Sequence, residues 1–519
     1  MRKFFKKLYM LVGIAAILLI VSNTALAASS GLAPVQINVL AVNDFHGAIM
    51  EHDNNPGIIK LGGYLKEEKA QNPSGTLILS AGDMFQGSAE SNLLYGSPVI
   101  EAMNNIGFDA MTVGNHEFDW GLSTLSEQAA ASRFPYLGAN VVDRVSGKML
   151  PLLQQYVITE KNGIKVAIIG LATPETEYKS NPKIVSRYEF LDPVKTVSSL
   201  VPKLKSEGAQ MIIVLSHLGC EVNQSGEIIG EAADLAKEIS GVDLIITGHS
   251  HKKVLGKVNG IPIVQAYSNG RTVAKASFLY SPGDNKIVSS IISATDISQY
   301  KGEADKALAA IIENANNRVN PLKNIVLGTA ESGLDHNRYE LSLLGQWVTD
   351  RMREKVNADI AFQNGGGLRS SLPVGKITMG NLYETLPFDN TLYTVDLTGK
   401  QVVRILEQGI GDKNSGMLQF SGLKVHYDSS KPTGKQIISV TTLNGAPLKN
   451  DKLYKVVTND FMAAGGDGFI LFKEGKNGND SGILLRDIVA EALKDQRLIR
   501  FTSDCRLKDE SILKNKTAA

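Results

Sequence analysis

Cysteine is nearly absent from this chain: only Cys220 and Cys505 occur among 519 residues. That excludes a disulfide framework, a thiolate zinc finger and a cysteine-ligated iron–sulfur cluster, each of which needs several closely spaced cysteines. The two lie far apart and are expected to be separate buried thiols. An excess of one sign of charge is lacking as well, with Lys+Arg 54 against Asp+Glu 53 and a net charge of +1. Such a balance argues against binding a nucleic acid polymer or a membrane surface, which needs a clustered positive field. Local pockets for small anions stay open. Past the N-terminus no apolar run approaches the ~20 residues of a membrane span, and the tail SILKNKTAA offers no hydrophobic anchor. Repeats and low-complexity tracts are absent too, and nothing in the composition sets the oligomeric state.

What is present starts with a processing signal. MRKFFKKLYM is basic, LVGIAAILLIVS extends an apolar stretch, and Ala25-Leu26-Ala27 supplies a small-x-small cleavage pattern. Residues 1–27 are expected to be a signal peptide and Ala28 the first mature residue. The protein is then exported (secreted, periplasmic or cell-wall associated) with no stable membrane anchor after cleavage.

The length predicts two or three domains, and 43% hydrophobic residues suffice for a sizeable core. From about residue 34 to 275, INVLAV, TLILSA, DAMTV, KVAIIGLA, MIIVLS and DLIIT read as strands buried on both faces, because they are almost continuously aliphatic. GGYLKEEKAQ, GSPVIEAMNNIG, LDPVKTVSSLVPKLKSEG and IIGEAADLAKEIS between them have helical periodicity. That is α/β layering in which the sheet is mixed or doubled. Residues 301–325 are expected to form a linker helix ending near Pro321. After it LSLLGQWVTDRMREKV, ADIAFQNGGGLR, NTLYTVDL and LKVHYD begin a second, α+β domain.

Five of the eight histidines fall directly after strand-like runs of the first domain. The runs lead in turn to Asp44 and His46, to Asp83, to Asn115 and His116, to His217, and to His249 and His251. Ligand sites of α/β folds gather outside the carboxyl ends of the strands, so these five loops are expected to converge on a metal centre. His nitrogens, Asp oxygens and an Asn carbonyl without thiolate suit Zn²⁺, Mn²⁺ or Fe²⁺. Seven candidate ligands, Asp44, His46, Asp83, Asn115, His217, His249 and His251, exceed the four of one tetrahedral ion. Two divalent ions about 3.5–4 Å apart with an Asp bridge fit better, and their chemistry is hydrolysis at phosphorus by a deprotonated water.

NDFHG (43–47), GD (82–83), GNHEFDWG (114–121), SHLG (216–219) and GHSH (248–251) resemble the five-block signature of the calcineurin-like metallophosphoesterases. The chain is similar in particular to the 5′-nucleotidase / UDP-sugar hydrolase family, whose C-terminal nucleotide-recognition domain is resembled by NGGGLR, LPFDN and NDFMAAGGDGF. The resemblance spans nearly the whole mature chain. It implies a metallophosphoesterase β-sandwich flanked by helices over 34–300 and a substrate-binding domain over 326–515.

By that resemblance, Asp44, His46, Asp83 and His251 hold one ion and Asp83, Asn115, His217 and His249 the other. Some family members carry Gln where this chain has His251, a departure that bears on metal preference. The resemblance makes His116 and Asp119 a catalytic pair that does not bind metal, in which the imidazole serves the transferring phosphoryl group and the carboxylate orients it. In GNHEFDWG, Gly114 and Gly121 then serve the turns, Glu117 and Phe118 either pack or stand behind the ligands, and Trp120 covers the loop. Phe388 and Phe461 are implied to sandwich a nucleobase, Asn364 and Arg369 to bind ribose or phosphate, Asp467 the ribose hydroxyls, and Asn390 to lie near the base. Arg338 matches less cleanly. A nucleotide would bridge the two domains, with a hinge near 304–325.

The leading expectation is hydrolysis of nucleoside 5′-monophosphates. A 2′,3′-cyclic-nucleotide phosphodiesterase with 3′-nucleotidase activity and a UDP-sugar or nucleoside di- and triphosphate hydrolase share the layout. A catalytically retired nucleotide-binding surface protein is the reading from another class, and the intact ligand set together with His116 and Asp119 speaks against it.

Overall fold

The computed structural model describes residues 33–52, 54–410 and 416–511. The expected signal peptide lies outside them, as does the end of the 326–515 span. Two six-stranded sheets form the first domain. In one, Lys286–Asp296, Thr272–Ser281, Val35–Val42, Thr76–Ser80, Ala110–Thr112 and Tyr136–Leu137 lie side by side. In the other the order is Val254–Val258, Ile261–Gln265, Leu244–Ile246, Met211–Ser216, Ile164–Leu171 and Tyr156–Lys161. Both are mixed: the four strands from Val35–Val42 to Tyr136–Leu137 are parallel, as are the four from Ile164–Leu171 to Ile261–Gln265. The sheet is therefore mixed and doubled at once.

Alternation of side chains explains the continuous apolar runs. Along Val35–Val42, Ile37, Val39 and Ala41 enter the core between the sheets, with Leu77, Leu79, Ile168, Ile213 and Ile246. Leu40 and Val42 enter a second core beneath the helices Gly57–Gln71 and Ser97–Ile106. A third core on the far face is covered by Pro193–Ser206 and Glu231–Glu238. The layers are thus α/β/β/α.

The helix Lys306–Lys323 ends two residues past Pro321, near the expected stop. A proline in the last turn removes only one helical hydrogen bond, so the helix tolerates it there. It is also no free connector. Leu308, Ile312, Ala315 and Val319 are buried, and a Cβ at Gly62 would lie 2.4 Å from Leu308, so glycine admits the helix.

A five-stranded sheet organises the second domain, in the order Gln419–Ser421, Ile360–Gln363, Leu453–Asn459, Thr391–Thr398, Lys476–Leu484. Leu343–Lys355 and Leu485–Gln496 contribute to the core on one side and Gly399–Gly409 to the core on the other. Cys220 is buried and Cys505 exposed, both as free thiols, so only the first is the buried thiol expected. No helix among the described residues is long and apolar enough to cross a membrane.

Candidate active site

Asp44, His46, Asp83, Asn115, His217, His249 and His251 all follow parallel strands, three loops coming from one sheet and two from the other. Stacking the sheets face to face brings those strand ends to one edge of the sandwich. Asp44, His46, Asp83, His249 and His251 have φ of 49°, 51°, 55°, 71° and 55°, the left-handed region that costs a side-chain-bearing residue energy. Five such residues at one edge mark a site whose geometry the surrounding fold imposes. Gly114 is needed there too, because a Cβ at that position would lie 2.3 Å from Asp83 Oδ1.

Two clusters of potential metal ligands result, Asp44–His46–His251 and Asp83–His217–His249, with the ligand atoms of each within 4.8 Å of one another. His251 Nε2 is 3.3 Å from Asp44 Oδ1 and 2.9 Å from His46 Nε2. His46 Nδ1 faces the carbonyl of Gln86 at 3.0 Å, which only accepts, so the proton belongs on Nδ1 and Nε2 offers a lone pair. His217 repeats this arrangement with the carbonyl of Ala81. Its Nε2 is buried beside Asp83 Oδ2 at 3.1 Å without making a hydrogen bond. Burial lowers the pKa of His217, but Asp83 and Asp44 outweigh it and push the group up to about 10. The two carboxylates thus stabilise positive charge at this nitrogen. His249 Nδ1 lies 2.9 Å from Asn115 Oδ1, while the Asn115 amide donates to the carbonyl of Lys179. Converging lone pairs with few protons between them fit divalent ions, and the absence of sulfur favours Mn²⁺, Zn²⁺ or Fe²⁺ over softer metals.

Beside the clusters, His116 Nδ1 lies 2.7 Å from Asp119 Oδ2, and the His116 backbone N–H donates to Asp83 Oδ1 at 2.9 Å. Burial lowers the His116 pKa, yet Asp119 and Asp83 together raise it above the ordinary value. Phe118 is fully buried against Tyr188 and Phe190, and Trp120 packs edge-on to Tyr95.

Across the cleft the second domain presents Arg369, Arg338, Asn364, Phe388, Asn390, Phe461 and Asp467. These line one cavity of about 1060 Å³ together with Asp83, Asn115, His116, Asp119, His249 and His251. Asp44, His46 and His217 are buried at its base. Burial and Arg338 lower Arg369 to about 10, against the opposing pull of Asp83, Asp119 and Asp44. Phe388 stacks on His116 with ring centroids 5.5 Å apart and lies under Arg369. Phe461 sits against Gly466, where a Cβ would come within 2.5 Å of its ring. Asn364 donates to Asp467 at 2.7 Å, and Asn390 donates to Asp460 at 3.0 Å.

Sequence reasoning missed several residues here. Glu117, expected either to pack or to stand behind the ligands, does the latter in a way the sequence did not specify: its buried carboxylate accepts the N–H groups of Asp83, Met84 and Gly114 at 2.8, 2.9 and 2.6 Å, joining two ligand loops. Burial and Asp83 raise its pKa to about 7, although those backbone amides oppose the shift. Lys179 reaches across the cleft to Asp467 at 3.2 Å. Asn459 donates to Asn364 and Gln363, both at 2.9 Å, and so fixes the Asn364–Asp467 pair. Glu175 contacts His249. Of these, Glu117 and Asn459 lay in recognised blocks and Lys179 and Glu175 did not, and nothing in the residue types gave the roles away.

Comparison with known proteins gives the same outline. Residues 37–253 match the calcineurin-like phosphoesterase family and residues 323–474 the 5′-nucleotidase C-terminal domain. The chain is 33% identical over 457 residues to endonuclease YhcR of Bacillus subtilis, covering 83% of this chain. It spans only 37% of the length of that relative. It is 30% identical to the cell wall protein Lmo0130 of Listeria monocytogenes, covering 91% of this chain and 69% of the other. Among solved structures, the 5′-nucleotidase precursor of Thermus thermophilus superposes with a TM-score of 0.81 at 30% identity, covering 92% of this chain and 99% of that one. The chain belongs to the 5′-nucleotidase family of calcineurin-like metallophosphoesterases.

Proposed function

We propose that the protein is an exported metal-dependent phosphohydrolase that releases phosphate from nucleoside 5′-monophosphates. One observation carries the reading: the metal-ligand clusters, the His116–Asp119 pair and the arginines and aromatics of the second domain line a single cleft. Asp44, His46, Asp83 and His251 would hold one ion, and Asp83, Asn115, His217 and His249 the other. When bound, such ions activate water and neutralise phosphoryl oxygens.

The chain's own residues do the rest. Arg369 and Arg338, which line the same cavity as the ligand residues, would bind the phosphate there. Asp119 holds the Nδ1–H of His116, which leaves Nε2 to stabilise the phosphoryl group or to protonate the departing ribose oxygen. Asn364 and Asp467 suit the ribose hydroxyls, with Asn390 beside the base. Phe388 and Phe461 offer the stacking faces, both lining the cavity beside His116. The signal-peptide pattern around Ala25-Leu26-Ala27 supports export.

The test is phosphate release by the Mn²⁺-loaded protein from a panel of AMP, UMP, ADP, UDP-glucose and 2′,3′-cyclic AMP. AMP and UMP are expected to turn over fastest. Inert AMP beside rapid turnover of 2′,3′-cyclic AMP moves the assignment to the cyclic phosphodiesterase, and preference for UDP-glucose moves it to the pyrophosphate hydrolase.

A further inference from the structure

A histidine that donates one nitrogen to a metal needs its other N–H held, because that partner fixes the tautomer and the ring and tunes how strongly the ring binds. His46 and His217 use backbone carbonyls, those of Gln86 and Ala81. His249 differs. Its Nε2 is 3.0 Å from Glu175 Oε2, a carboxylate with no proton to give at neutral pH. In the neutral ring the Nε2 of His249 then carries the hydrogen and Nδ1 the lone pair; Asn115 Oδ1, 2.9 Å from Nδ1, has no proton to give either, so the two lone pairs converge where a cation would sit.

Glu175 is set for this task by its own surroundings. It follows the strand Ile164–Leu171 and immediately precedes the short helix Thr176–Lys179. The Glu175 backbone N–H donates to Thr173 Oγ1 at 3.0 Å, and that hydroxyl donates to Glu231. Glu231 also accepts the N–H of Gly219, two residues after His217, so the loops bearing Glu175 and His217 are tied together. The Glu175 carboxylate belongs to neither ligand cluster. A third of its side chain is exposed in the cleft, so its place is not explained by core packing.

We propose that Glu175 is a positioning residue for one metal position only, the one formed by Asp83, Asn115, His217 and His249. It holds His249 in the tautomer that presents Nδ1 and, as a full negative charge, makes that ring a stronger donor than its two carbonyl-held counterparts. This rests on the two-metal reading above, and it makes the relative affinity of the two positions depend on one carboxylate that contacts neither ion.

The experiment is a Co²⁺ titration of the metal-free full-length protein, followed by visible absorption. Wild type is expected to bind two ions per chain. Fewer than two in wild type overturns the two-metal reading and says nothing against the tie between Glu175 and His249. In Glu175→Ala one class of site is expected to weaken by about 10–100-fold while the other stays unchanged. Glu175→Gln, which can still accept the hydrogen but lacks the charge, falls between, and Glu175→Asp recovers part of the loss. Repeating the titration with His251→Ala, which removes a nitrogen of the other position, identifies the weakened class. Thermal melts of the metal-free proteins are expected to coincide. If Glu175→Ala does not fold, the shape-conserving Glu175→Gln decides. Equal weakening of both classes, or none in either, overturns the proposal.

Discussion

His116 bears more of the account than any other single side chain. It is joined to Asp119 through one ring nitrogen, to Asp83 through its backbone, and to Phe388 through its face. Because no ligand cluster includes it, its removal separates catalysis from metal binding. His116→Ala is expected to lower kcat by about 10²–10⁴-fold, the usual contribution of a positioned acid or base. Metal content should remain at the wild-type value. Turnover that survives unchanged in a metal-loaded variant removes His116 from the mechanism. The ligand candidates were legible at this scale because each follows an apolar strand-like run, where a polar residue is conspicuous. Glu175 was not, since it sits in a turn between a strand and a short helix where acidic residues are ordinary. Glu117 was visible in the sequence but not its use, because three backbone amides meeting one carboxylate leave no mark on residue types.

At the scale of elements, the strands of the first domain could be read because both of their faces are buried, leaving unbroken aliphatic runs. That same continuity hides which face points where, so the split into two stacked sheets came from the family resemblance and not from the hydrophobic pattern. Backbone conformation was equally hidden: nothing in NDFHG or GHSH announces that Asp44, His46, His249 and His251 adopt positive φ. The connecting helix showed its extent but not its packing, which Gly62 and Leu308 reveal only together. A prediction belongs to the loops. Gly114→Ala would push a methyl group onto Asp83 Oδ1, the carboxylate shared between the two proposed positions. Metal affinity, measured by titration of the metal-free protein, should fall by about 10–100-fold, as when a metal site loses its support. Unaltered affinity would mean that Asp83 has room to move and is not held by this turn.

Over the whole molecule the two domains are fastened by polar contacts beside the cleft. Lys179 pairs with Asp467, Lys183 with Asp480 at 2.7 Å, Asn181 donates to Asp460, and Asn92 donates to the carbonyl of Pro387. The exposed Lys183–Asp480 pair contributes only about 0–1 kcal/mol and is screened by salt, whereas Lys179–Asp467 is mostly buried and is the firmer of the two. Lys179→Ala combined with Lys183→Ala is expected to raise the radius of gyration measured by small-angle X-ray scattering, and high salt should do the same to the wild type. An unchanged radius in both cases would show that these pairs do not hold the cleft closed. The central claim is that hydrolysis needs two ions gathered at the strand ends beneath the nucleotide-recognition domain. It is tested most directly by following phosphate release from AMP while metal-free protein is titrated with Mn²⁺. The account predicts no release without metal and a plateau at two ions per chain. Release from the metal-free protein, or a plateau at one ion, would contradict it.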